Sequence, residues 1–161
     1  MKRIAFLAVL SAIVLWVSVY NQPYVVAING CTLQMPLTMD SVYQSKYSVD
    51  VASGSSATVK KSDMTLLVET DGTFDNTAKL ISIAADTQYT KKSDMSVYGH
   101  IKLGDTEQKV RKYYYLPTFD LGNNCSLYTK KFSEGKDDII AIGVQDGKVV
   151  HIEVLYEDAD K

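Results

Sequence analysis

The chain has 161 residues, 46 % hydrophobic and 22 % charged, with a net charge of −2. That is enough for one ordinary domain or two small halves sharing a core, and too apolar for a disordered polymer. No basic patch is large enough to favour nucleic acid. The 11 tyrosines against one tryptophan suit half-buried strands and adhesive surfaces equally, so the count selects neither.

The first thirty residues read as an export signal. Lys2-Arg3 precede Ile4 to Tyr20, an uncharged run whose polar residues are Ser11 and Ser18. A positive start before an apolar run marks a secretory leader or an N-terminal anchor, with the cations kept in the cytoplasm and the rest sent outside. The run sits at the short limit for a spanning helix, roughly 17–25 residues. Asn21-Gln22-Pro23 ends it, because proline cannot continue a helix. Three fates stay open. The chain is cleaved after Ala27, where Val25 and Ala27 are small enough, or it keeps an anchor that touches membrane through residues 4–20. The third is acylation of Cys31, since Ile28-Asn29-Gly30-Cys31 is similar to a lipoprotein signal. Residues 1–27 are therefore set apart as leader or anchor.

Asn29-Gly30 is the strongest two-residue hairpin signal, because both positions tolerate positive φ. The segments Tyr24–Ile28 and Cys31–Met35 are then its two arms or one strand with a kink, and Pro36 closes the second. Thr38 caps a short helix over Met39–Lys46, with Asp40 at its positive end and Val42, Tyr43 and Tyr47 inward. A turn at Ser53–Ser56 leads to three strands, Ala57–Lys61, Met64–Val68 and Ala78–Ala84, with Asp71-Gly72 in the second turn. The polar stretch Asp86–Met95 marks the junction between residues 28–88 and 89–161. Lys60–Met64 recurs as Lys91–Met95, a match read as chance repetition of surface residues.

Ser96–Leu103 alternates as a strand. Asp105 or Thr106 caps a second helix over Glu107–Tyr114, with Val110 inward. Three strands close the chain: Ser126–Phe132, Ile139–Val144 and Lys148–Tyr156, the last two joined by Asp146-Gly147. In the final strand Val150, Ile152, Val154 and Tyr156 form an apolar face for the helix. His151, Glu153 and Leu155 form a mixed face toward solvent or a partner. Asp158–Lys161 is a charged tail. A capped helix followed by strands thus occurs twice, offset by about seventy residues. The expected fold is α+β: two tandem helix-plus-three/four-strand antiparallel repeats behind an N-terminal hydrophobic segment.

No catalytic constellation emerges. His100 and His151 both fall on predicted strands, without zinc-protease spacing. There is no Gly-x-Ser-x-Gly elbow and no Gly-rich phosphate loop. Asp137-Asp138 and Glu157-Asp158-Asp160 lack the alternating oxygen ligands of a calcium loop. The expectation is a non-enzymatic chain with no cofactor and no metal; a hydrolase would need a polar cluster in a cleft that the sequence hides. Cys31 and Cys125, one in each half of an exported chain, leave two alternatives open, a disulfide or two buried free thiols. Tyr113-Tyr114-Tyr115-Leu116-Pro117-Thr118-Phe119 is the most partner-like stretch. Consecutive aromatics cannot all face one core, so Tyr113, Tyr114, Tyr115 and Phe119 are the candidate binding residues, with packing beneath the sheet as the alternative.

The paired helix-and-strand units over Ile28–Glu157 resemble the tandem architecture of β-lactamase inhibitory proteins and of small bacterial envelope lipoproteins. The opening Ile28–Thr38 is also similar to an Asn/Asp-Gly…Leu-Pro-x-Thr start in small exported proteins of Gram-positive bacteria, with Met35 where that start has Leu. The resemblance implies a non-catalytic surface that binds another protein and transfers no functional residue. The expected function is an exported or membrane-tethered domain that binds another envelope or extracellular protein at the outer face of the cytoplasmic membrane or beyond. The alternative is a carbohydrate- or cell-wall-binding module on the same Tyr-rich surface.

Overall fold

The computed structural model describes residues 25–33, 37–132 and 138–156. The apolar run Ile4 to Tyr20, the second hairpin arm beyond Leu33, Asp137, and the tail from residue 157 lie outside the described residues. The elements are β1 (Val26–Ile28), β2 (Cys31–Thr32), α1 (Met39–Gln44), β3 (Ser48–Ser53), β4 (Ser56–Lys61), β5 (Met64–Thr70), β6 (Leu80–Asp86), β7 (Met95–Val97), α2 (Glu107–Tyr114), β8 (Phe119–Gly122), β9 (Cys125–Lys131), β10 (Ile139–Gln145) and β11 (Lys148–Leu155). Eight strands form one antiparallel sheet in the order β3-β4-β5-β6-β11-β10-β9-β8, and β2-β1-β7 form a second, small sheet.

Alternating apolar residues dictate which way the large sheet faces. The register lines up Ala57, Val68, Ile83, Val154 and Ile140 across five strands. The next row holds Ala85, Ile152, Ile142 and Tyr128. Over these rows lie Met39 and Val42 of α1, Val110 and Tyr114 of α2, and Val26, Ile28, Met95 and Val97 of the small sheet, all in one core. Each such aliphatic side chain contributes about 1.5–3 kcal/mol by leaving water.

Turn chemistry sets the hairpins. Asp146 and Gly147 at φ 50 and 72 connect β10 to β11, and Asn29 and Gly30 at φ 54 and 76 connect β1 to β2, the primed geometry that follows strand twist. Helix α2 starts where expected: the Thr106 hydroxyl accepts from Lys109 N at 3.4 Å. Thr38 precedes α1 without a side-chain cap bond. Lys61 Nζ reaches Asp94 Oδ2 at 2.8 Å, and Tyr47 Oη donates to Asp94 Oδ1 at 2.6 Å. The two Lys-Lys-Ser-Asp-Met segments therefore touch, although their spacing is not a structural period. Among the described residues no helix is long and apolar enough to cross a membrane.

The expected α+β tandem of helix-plus-strand repeats is corrected. Strand takes 52 % of the described residues and helix 11 %, with two short helices against one eight-stranded sheet. Two short stretches with few large apolar residues, Ser48–Ser53 and Phe119–Gly122, become its edge strands. An edge strand takes hydrogen bonds from one neighbour and needs little buried side chain of its own. The predicted strand Ser96–Leu103 is also corrected. It stops at Val97, and Val97 and Ile101 exchange both backbone hydrogen bonds across a turn with Gly99 at φ 82 and His100 at φ 55. In β11 a bulge opposite Gly143/Val144 places Val149, not Val150, in the core.

The expected boundary after Ala27 falls inside β1. The division after residue 88 falls in the turn following β6, while β6 and β11 pair directly across it.

Candidate functional site

The second face of the large sheet is made by the residues between those of the core rows. One row runs Val51, Thr58, Leu67, Ala84, Glu153, Ala141, Thr129. Another runs Asp86, His151, Gly143, Leu127, Phe119. None of them belongs to the core cluster. Both described helices and the small sheet contribute to that core on the opposite side, so no described element covers this face. We call it the open face.

At its centre four polar side chains form one chain of hydrogen bonds. Ser82 Oγ donates to Glu153 Oε1 at 2.7 Å. His151 Nε2 lies 3.5 Å from Glu153 Oε2, and Nδ1 lies 2.8 Å from Asp86 Oδ2. The pairing β6–β11 brings them together, since it sets His151 opposite Asp86 and Leu155 opposite Ser82. Glycine leaves room on the other side: a Cβ at Gly143 would stand 3.1 Å from His151 Cβ. The Glu153 and Asp86 carboxylates hold the His151 imidazole above its usual value, against the burial that opposes its charge. The same bond to His151, with the Ser82 hydroxyl, holds Glu153 below the usual carboxylate range.

Chemically this is an ion network, with His151 as a cation between two anions. The Ser82 hydroxyl is directed at Glu153 rather than at the imidazole, which differs from the nucleophile–base geometry of a hydrolase. Among the described residues no group of three or more His, Cys, Asp or Glu side chains is placed to hold a metal ion. Beside the network lies a shallow trough of about 380 Å³, lined by Val51, Thr58, Leu67, Glu69, Ala84 and Glu153 among others. Its small and apolar floor meets two carboxylates, and Glu69 accepts a 3.5 Å bond from Ser55 Oγ.

The candidate residues read from sequence separate from one another. Tyr114 is buried and its hydroxyl donates to Tyr98 O at 3.3 Å. Tyr113 packs edge-on against Tyr98, with ring centroids 5.9 Å apart, and its ring lies where a Gly99 Cβ would be. Lys130 Nζ lies 4.1 Å from the Tyr98 ring centroid. Tyr115 leaves the helix at φ 61 and is 75 % exposed. Phe119 is 56 % exposed and shares the open-face row of His151. Leu116 and Leu121 extend this apolar edge. Cys31 in β2 is exposed and Cys125 in β9 half-buried, and both are free thiols.

Sequence reasoning placed His151 and Glu153 on the mixed face of the last strand but did not connect them to Ser82 and Asp86. Those two sit on a strand about 70 residues earlier in sequence, and only the β6–β11 register joins them. No family model, curated protein or solved structure matches the chain.

Proposed function

We propose that the chain is an exported or membrane-tethered, non-enzymatic domain of the bacterial cell envelope that docks another protein on the open face of its sheet. The observation that supports this reading is that face itself. It is eight strands wide, lacks a covering element among the described residues, and carries exposed Val51, Leu155 and Phe119 at its margins. A flat apolar-and-polar surface of that width suits a protein surface better than a small ligand, which is bound in deeper concavities. The trough carboxylates Glu69 and Glu153 fit a partner segment that presents an Arg or Lys side chain between small apolar neighbours. The sugar-binding alternative has less support, because packing of Tyr113 and burial of Tyr114 leave Tyr115 as the fully exposed ring of the three.

The test is cross-linking of the full chain in envelope membranes of its native host, with the partner and the linked positions read by mass spectrometry. Links are expected at open-face positions. Leu67→Arg, with its fold verified by circular dichroism, is expected to weaken capture at least tenfold, and Lys112→Glu, exposed on α2 on the opposite side of the sheet, is expected to leave it unchanged. Capture that survives Leu67→Arg removes the open face as the docking surface.

A further inference from the structure

We infer that the chain is neither cut after Ala27 nor acylated at Cys31, and that the run Ile4 to Tyr20 stays on the folded domain as its tether to a lipid bilayer. The inference rests on the export reading above and is carried by β1. This strand is the middle one of the small sheet, paired with β2 on one side and β7 on the other. Val26 and Ile28 are 0 % exposed and Ala27 is 5 % exposed. Leu33 N donates to Val26 O at 3.0 Å, and Asn29 N to Asp94 O at 3.2 Å.

Cleavage after Ala27 would remove two of the three residues of β1, with Val26 from the core and the Val26–Val97 and Ala27–Ser96 pairings. Acylation of Cys31 follows a cut immediately before it, which would remove β1 entirely. The first cut leaves Ile28 alone between β2 and β7, the second leaves them without their shared partner, and both open the core beneath them.

The sequence offers no substitute position. A leader peptidase takes small residues at the cut and two positions before it. Between Trp16 and Val26 the only Ala, Gly or Ser to stand at the cut itself is Ser18, and bulky Trp16 stands two positions before it. Ala5, Ala8, Ser11 and Ala12 lie inside the apolar run rather than after it. A chain that keeps β1 therefore keeps the run. Lys2-Arg3 then stay on the cytoplasmic side. The five steps from Tyr20 to Val25 hold the small sheet within about 17 Å of the end of the run.

The test is the intact mass and fractionation of the full chain expressed with its own N-terminus in its host. The expected species retains Lys2–Tyr20 and sediments with membranes through a carbonate wash. Any mature N-terminus beyond Tyr20, including Ile28 or a lipidated Cys31, overturns the inference without touching the docking face. Full-length chain found soluble in the cytoplasm would overturn the export reading beneath it as well. A second measurement is Val26→Asp in the detergent-solubilised full chain, expected to lower Tm by roughly 10 °C or more. An unchanged Tm would show β1 to be dispensable and would also overturn the inference.

Discussion

The two faces of the large sheet are built from the same strands, one residue apart, and they are chemically opposite. On one face Ile152 and Val154 are sealed at 0 % exposure beneath both helices and the small sheet. On the other, His151 and Glu153 join Asp86 and Ser82 in a hydrogen-bonded chain beside an uncovered trough. The difference shows that the strands are fixed from one side only. The second side is free to carry charge, provided the charges partner one another.

Four substitutions test this contrast. Ile152→Ala removes a fully buried side chain and is expected to cost about 3–4 kcal/mol in urea unfolding. Leu155→Ala, three residues on and at the open face, is expected to stay within about 0.5 kcal/mol. Equal losses would mean that the two faces are not energetically distinct.

His151→Gln is the next largest, at about 1–2 kcal/mol, because it withdraws a cation from between two carboxylates. Its pH dependence carries the sign. The raised His151 value makes its contribution complete below about pH 6.5 and lost as pH rises through the folded-state value. The lowered Glu153 value makes its contribution complete above about pH 4.5 and lost as pH falls through its own. Thermal unfolding of the parent should therefore show an excess of stability over the variant that is greatest from about pH 4.5 to 6.5. A parent-minus-variant difference that does not change with pH would show that His151 is not charged in the fold.

Gly143→Ala is expected to have a small effect on stability, under about 1 kcal/mol, since the backbone there needs no positive φ. Its Cβ must push His151 aside. The measurement is the imidazole titration by NMR, expected to move toward the value of a free histidine. An unshifted titration would show that the close approach of Gly143 does not set the network.

Much of the sheet was legible. The apolar run Ile139–Val144 and the Asp146-Gly147 turn place β10 and β11 within a residue or two, and Thr106 marks the start of α2. The edge strands β3 and β8 were not legible, because Ser-Val-Asp-Val-Ala-Ser and Phe-Asp-Leu-Gly carry little of the apolar signal that burial impresses on central strands. Nor was the turn at Gly99-His100, where alternation suggested a continuing strand while the packing of Tyr113 against Gly99 bends the chain. The site was half legible: periodicity gave the face of His151, and only long-range register gave its partners. The Tyr113–Tyr115 run shows the opposite failure, since three like residues in sequence have three different surroundings.

Strand order in the large sheet also sets an order in time. Six of its seven neighbouring pairs join consecutive strands and can zip up soon after both arms exist. The pairing of β6 with β11 must wait until β11 has been made, and closure over so long a separation is slow. Until then β6 presents a bare apolar edge, Leu80, Ile83 and Ala85 included. The half-made protein is thus most exposed to misassembly at the seam that later carries Ser82, Asp86, His151 and Glu153, so the open face is complete only once that seam has closed.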